Sequence, residues 1–218
     1  MSPLIRLAGI AVAAAAGLAL AAGALQGAGP AVPAPQPTKL SWRSPPGNAA
    51  NGKQLGAICL SCHAAGAPAT DPVAPKLTRQ RTSYMVFALA AFRDGQRQSP
   101  IMGPMAAGKS DQDLRDLAAY LSGEMLDKPP PPNQQDPYYR FAREHCTMCH
   151  GETGIGEMEA MPVLTGQDPA YLQNALEEYR TGIRKDPTMR AVAAKLTPAE
   201  EHGMAAYFAQ YAWLEKPK

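Results

Sequence analysis

Aromatic residues are scarce in this 218-residue chain: four Phe, two Trp and eight Tyr make up 6% of it. That is thin for the cores of two independent domains, and small cores of this kind ordinarily need a staple. Charge of one sign is not in excess either. The formal net charge is +2, which lacks the basic footprint of a nucleic-acid binder. No stretch alternates apolar and polar residues with period two, so no sheet is expected and the fold class is all-α. No paired carboxylates or Ser-His-Asp arrangement stand out for acid–base or nucleophilic catalysis. Cysteine is the most telling shortage. There are four, and each falls in a Cys-x-x-Cys-His motif, leaving none for a disulfide or a separate nucleophile.

The motifs are Cys59-Leu60-Ser61-Cys62-His63 and Cys146-Thr147-Met148-Cys149-His150. This spacing is the attachment signal of c-type haem: two thioethers to the porphyrin edge, then a His placed to bind iron. A lone Cys-x-x-Cys would also fit half a zinc site or a redox pair. The trailing His, which zinc does not require, argues for haem. Two covalently bound haem c groups would supply the apolar bulk that the aromatics do not.

An internal repeat supports this reading. At an offset of 87 residues, Pro75 falls on Pro162, Leu77-Thr78 on Leu164-Thr165, Tyr84 on Tyr171 and Ala88-Leu89 on Ala175-Leu176. Arg93 falls on Arg180, Gly95 on Gly182, Pro100 on Pro187, Met102 on Met189 and Tyr120 on Tyr207. Each half is therefore one copy of one helical fold. The expected boundaries are 47–126 for the first domain and 135–218 for the second. A Pro-rich linker, 127–134, contains Pro129-Pro130-Pro131-Pro132, which cannot continue a helix. A Pro/Ala-rich linker spans 28–46. Residues 1–27 carry an apolar run from Leu7 to Leu25 and end in small residues, fitting either a cleaved signal peptide or a membrane anchor. The halves differ in charge: eight basic against six acidic side chains from Pro45 to Leu126, ten against thirteen from Asp127 to Lys218.

In each copy a short helix is expected to lead into the motif, starting in the second at Asp136-Pro137. A middle helix is expected over about 83–94 and its twin from Asp168-Pro169 to near Gly182. The last helix begins at Ser110 in copy one and at Thr197-Pro198-Ala199-Glu200, a capping box, in copy two.

His63 and His150 supply one axial ligand each, and the repeat nominates the others. Met102 and Met189 are the methionines placed equivalently in the two copies, each in an expected loop between the middle and last helices. A thioether is a soft ligand suited to haem iron. Met105 competes with Met102, but its twin is Val192, which cannot bind iron. Met85, Met125, Met158, Met161 and Met204 have no methionine twin and read as core filler. His145 and His202 have twins Ile58 and Arg115, so they read as ordinary histidines. A ligating His needs its other ring N–H fixed by an acceptor; the carbonyls at Pro75 and Pro162 are candidates, with a rigid turn as the alternative. Arg93 and Arg180 are candidates for haem propionates, or equally for solvated charges at helix ends.

With these residues in hand, the chain resembles the dihaem cytochromes c of the cytochrome c4 type over roughly Gly47 to Leu214. The resemblance rests on Cys59/Cys62/His63 with Met102 and on Cys146/Cys149/His150 with Met189. It rests also on Pro75-Lys76-Leu77, Pro162-Val163-Leu164 and the Ser110–Tyr120 segment. It implies a periplasmic electron carrier, soluble or tethered to the inner membrane, with redox protein partners: a quinol-oxidising complex or other donor, and a terminal oxidase as acceptor. It also implies two domains packed about a pseudo-twofold axis. The chain departs from the family at Ala64-Ala65, where a Gly is usual, and in the length of its N-terminal linker. With both irons six-coordinate, the expected activity is one-electron transfer, not enzymatic turnover. The alternatives are a resident dihaem subunit of an oxidase or dehydrogenase, and a dihaem enzyme of the peroxidase or thiosulfate-oxidising type with an open iron.

Overall fold

A computed structural model describes residues 46–64, 74–123 and 130–211. The expected signal or anchor, nearly all of the linker at 28–46, Ala65, Met125 and Pro129 lie outside the described residues.

Copy one opens with α1 (Ala49–Gly56), capped by Asn48, whose side chain accepts from the Ala50 and Asn51 N–H groups. A single 3-10 turn (Ala57–Cys59) and α2 (Leu60–His63) then carry the first motif. They are followed by α3 (Thr82–Arg93), α4 (Met102–Ala106) and α5 (Asp111–Ser122). Copy two repeats the order: α6 (Tyr139–His145), α7 (Thr147–His150), α8 (Pro169–Thr181), α9 (Pro187–Ala193) and α10 (Pro198–Ala209). Among the described residues there is no strand.

Both last helices start with a capping box, Ser110 with Asp113 and Thr197 with Glu200; such caps contribute about 1 kcal/mol each. Gly182 ends α8 in the left-handed conformation at φ 82°. Asp136 does cap a turn, accepting from the Tyr138 N–H. However, α6 starts two residues later than expected, at Tyr139 in place of Pro137, because that bond closes a local turn before the helix.

The helices pack through two apolar clusters. Met85, Leu117, Ala118 and Leu121 bury α3 against α5, with Cys59 and Leu77 alongside. Tyr171, Leu172, Met204, Tyr207 and Phe208 do the same for α8 and α10, with Cys146 alongside. Glycine sets the closest approaches. A Cβ on Gly52 would stand 1.9 Å from the Asp116 carbonyl oxygen, and one on Gly203 would stand 2.0 Å from the Tyr138 ring. Met158, expected as core filler, is instead exposed, because it falls in an irregular segment between α7 and α8 and not on a packed helix face.

The two copies meet through reciprocal contacts, the signature of a twofold relation. Gln80 of copy one accepts from the Val163 N–H at 2.8 Å and donates to the Val163 carbonyl at 3.0 Å. Gln167 of copy two accepts from the Lys76 N–H and donates to the Lys76 carbonyl, both at 2.9 Å. Further bonds cross the same surface, from Lys76 Nζ to the Gly166 carbonyl and from Arg81 to Glu159 and the Gly156 carbonyl. Arg97 of copy one also pairs with Glu178 of copy two at 3.0 Å, and Arg184 approaches the same carboxylate at 2.5 Å.

Candidate haem centre

Each motif ends on a helix of a single turn: Cys62 and His63 lie on α2, Cys149 and His150 on α7, while Cys59 closes the preceding 3-10 turn beside the first apolar cluster and Cys146 directly precedes α7. Both histidines are buried, His63 9% and His150 6% exposed. His63 Nδ1 lies 2.7 Å from the Pro75 carbonyl oxygen, a contact the sequence had nominated. In neutral imidazole that assigns the proton to Nδ1 and leaves Nε2 as the ligand atom. Copy two is less complete. Burial lowers the His150 pKa while the Pro162 carbonyl opposes that shift, yet its buried Nδ1 makes no hydrogen bond of normal geometry.

A cavity of about 570 Å³ runs between the copies. Cys62, His63 and Met102 line it from one side, and Cys146, Cys149, His150 and Met189 from the other. Its walls are largely apolar, including Met85, Leu89, Phe92, Leu172, Leu176 and Phe208. Met102 and Met189 are not in loops as expected. They sit in the short helices α4 and α9, because Ser99 accepts from the Met102 N–H at 3.0 Å and its twin Asp186 from the Met189 N–H at 2.8 Å. The same bond to the methionine N–H thus recurs on different side chains, as the N-cap of α9 in Asp186 and from the turn before α4 in Ser99, and a methionine lines the cavity in both copies. Met105 does not line the cavity and is 42% exposed.

The cysteines do not resemble a catalytic thiol. Burial pushes Cys146 up to about 11 and raises Cys59 as well, so neither is a ready thiolate near neutral pH. Between the second pair, Met148 stands 93% exposed and marks the outer rim of that site. His145 packs beside Phe141 and His202 faces Gln173 at the surface.

An apolar cavity bordered by Cys62 on one side and Cys146 and Cys149 on the other, with a buried imidazole and a thioether from each copy, fits the chemistry of haem c. The model for the cytochrome c family matches residues 49–123 and again 139–212. The chain belongs to the cytochrome c family. Its two tandem domains, all-α, carry two covalently bound haem c groups in the manner of the dihaem c4-type cytochromes. It is 30% identical to cytochrome c4 of Pseudomonas aeruginosa over 74% of this chain and 87% of that one. It is 30% identical to the thiosulfate dehydrogenase electron acceptor of Thiomonas intermedia over 78% and 82%. Among solved structures, reduced cytochrome c4 from Pseudomonas stutzeri superposes with a TM-score of 0.63 at 29% identity, covering 76% of this chain and all of that one. This cytochrome is accordingly an electron-transfer protein with redox protein partners.

Two expectations for the cytochrome change. Arg93 and Arg180 are engaged by nearer acids, Asp94 and Asp111 for the first, Glu177 and Glu201 for the second. The cations that line the cavity are Lys76, Arg97 and Arg184. Arg97 and Arg184 are twins at the offset of 87, as are Gln80 and Gln167. Their identity across the repeat was the available signal, and polar residues in the segments between helices gave no local reason to use it.

Proposed function

We propose that Cys59 and Cys62 hold one haem and Cys146 and Cys149 the other. His63 and Met102 would hold the first iron, and His150 and Met189 the second. Bound haem supplies a one-electron couple, which His/Met ligation sets high. The chain's own residues do the rest. The Pro75 carbonyl holds the His63 tautomer, Ser99 and Asp186 seat the methionine helices, and the apolar walls keep water from the irons. The domains extend over 47–126 and 135–218, joined by 127–134.

In this reading the cytochrome is a carrier, not an enzyme, moving single electrons in the periplasm from a quinol-oxidising complex or another donor to a terminal oxidase. The apolar N-terminal run, as signal or tether, supports export. Among the described residues no helix is long and apolar enough to cross a membrane. The observation that carries the reading is the pairing of a buried His with a repeat-equivalent Met on each side of one cavity. The likeness to the Thiomonas intermedia protein favours a second donor, a thiosulfate dehydrogenase, served by the same chemistry.

The test is spectroscopic and kinetic. The oxidised protein should show the weak far-red Met-to-iron band for both haems, and the reduced protein should not bind carbon monoxide. Prompt carbon monoxide binding at either haem would replace the carrier with the enzyme. Stopped-flow reduction by thiosulfate dehydrogenase, set against oxidation by a terminal oxidase, separates the two partner assignments. The mass of the mature protein separates signal from anchor.

A further inference from the structure

The reciprocal glutamines reach further than the domain interface. The N–H of Lys76 and the carbonyl of Pro75 are two ends of one peptide group. Gln167 accepts from that N–H at 2.9 Å, and the carbonyl lies 2.7 Å from His63 Nδ1. The Val163 N–H, held by Gln80 at 2.8 Å, likewise shares a peptide group with the Pro162 carbonyl, but there the His150 Nδ1 makes no hydrogen bond. Both carboxamides are buried, Gln80 5% and Gln167 2% exposed, so water does not compete for these bonds. A peptide whose N–H is engaged becomes a stronger acceptor at its oxygen, since linked hydrogen bonds polarise one another. A stronger acceptor makes the imidazole a better donor to its metal.

We propose that Gln167 is a positioning residue that acts across the domain boundary on His63, so that the second domain sets the haem potential of the first. The proposal rests on His63 as an iron ligand. A more electron-rich imidazole favours ferric iron, so removing Gln167 raises the potential of the first-domain haem. Gln80 is the contrast: it grips its peptide in the same way, but His150 Nδ1 makes no hydrogen bond, so its removal leaves the second-domain haem in place.

Full-length holoprotein carrying Gln167→Leu or Gln80→Leu tests this. Potentials are read by spectroelectrochemistry, and the histidine Nδ1 protons by NMR of the reduced, diamagnetic protein. Gln167→Leu should raise the first-domain potential and move the His63 proton upfield, leaving the second domain in place. Gln80→Leu should leave the second-domain potential and the His150 proton near their parent values. Arg81→Met removes the side chain's cross-domain bonds and keeps the backbone N–H that meets Gln80, so it should leave both protons unmoved. Equal shifts in both domains from Gln167→Leu, a shift in the second domain only, no shift in the first, or the same first-domain pattern from Gln80→Leu or Arg81→Met would overturn the proposal. Should a glutamine variant fail to assemble, Gln167→Glu, which retains the acceptor for the Lys76 N–H, must keep the His63 proton near its parent position or the proposal fails. Both far-red bands persisting without a crossed shift would sink the cross-domain effect alone; loss of a band in the parent would instead sink the ligand assignment.

Discussion

At the scale of single residues, the repeat does what no isolated motif can: it turns two similar methionines into a choice. Met102 lines the cavity and Met105 does not, so Met102→Ala should open the first iron to carbon monoxide and halve the far-red band. Met105→Ala should leave both unchanged, as absorption spectra of the two variants would report. Arg79 gives a second residue-level prediction. It holds φ 64°, and its twin Gly166 holds φ 65°, so one backbone turn is made twice, once by a residue that suffers for it. The Arg79 Nη1 is also buried without a hydrogen bond. Arg79→Gly should therefore stabilise the protein by about 1 kcal/mol after the entropy cost of glycine, measurable as a higher guanidinium midpoint.

At the scale of elements, glycine decides which helices can touch. Gly52 lets α1 reach the backbone of α5, and a backbone oxygen at 1.9 Å from the new Cβ cannot step aside. Gly52→Ala should cost about 3 kcal/mol. Gly203→Ala should cost less, because the obstacle is the tip of the Tyr138 ring, which can swing outward; thermal denaturation of the pair gives the order. The helices themselves were legible in the sequence. Ser110 and Thr197 announced their caps, and Asp168-Pro169 and Gly182 bracketed α8. Met102 and Met189 were legible as a pair, but their helices were not: Asp186 caps α9 whereas α4 follows a turn bonded by Ser99, and five to seven residues leave little periodicity to read. The partners of Arg93 and Arg180 depended on distances between helices, which spacing along the chain does not contain.

At the scale of the whole molecule, the interface turns on one acid between two cations. Burial works against the Glu178 carboxylate, but the hydrogen bond from Arg184 and the charges of Arg184 and Arg97 outweigh it and hold the carboxyl below its usual range. A carboxyl lowered in the folded state stabilises fully above its ordinary value near 4.5 and loses that contribution as pH falls through the depressed one. Glu178→Gln should thus weaken the protein by about 3 kcal/mol at neutral pH, and the gap from the parent should close in strong acid. Denaturant titrations across pH would trace it. The shared cavity has its own consequence. Both redox sites border one apolar space, where charge is poorly screened. The first electron to arrive raises the electrostatic cost of the second, so even two chemically equal sites would titrate as a broadened, anticooperative wave and spend much of their working range half-loaded.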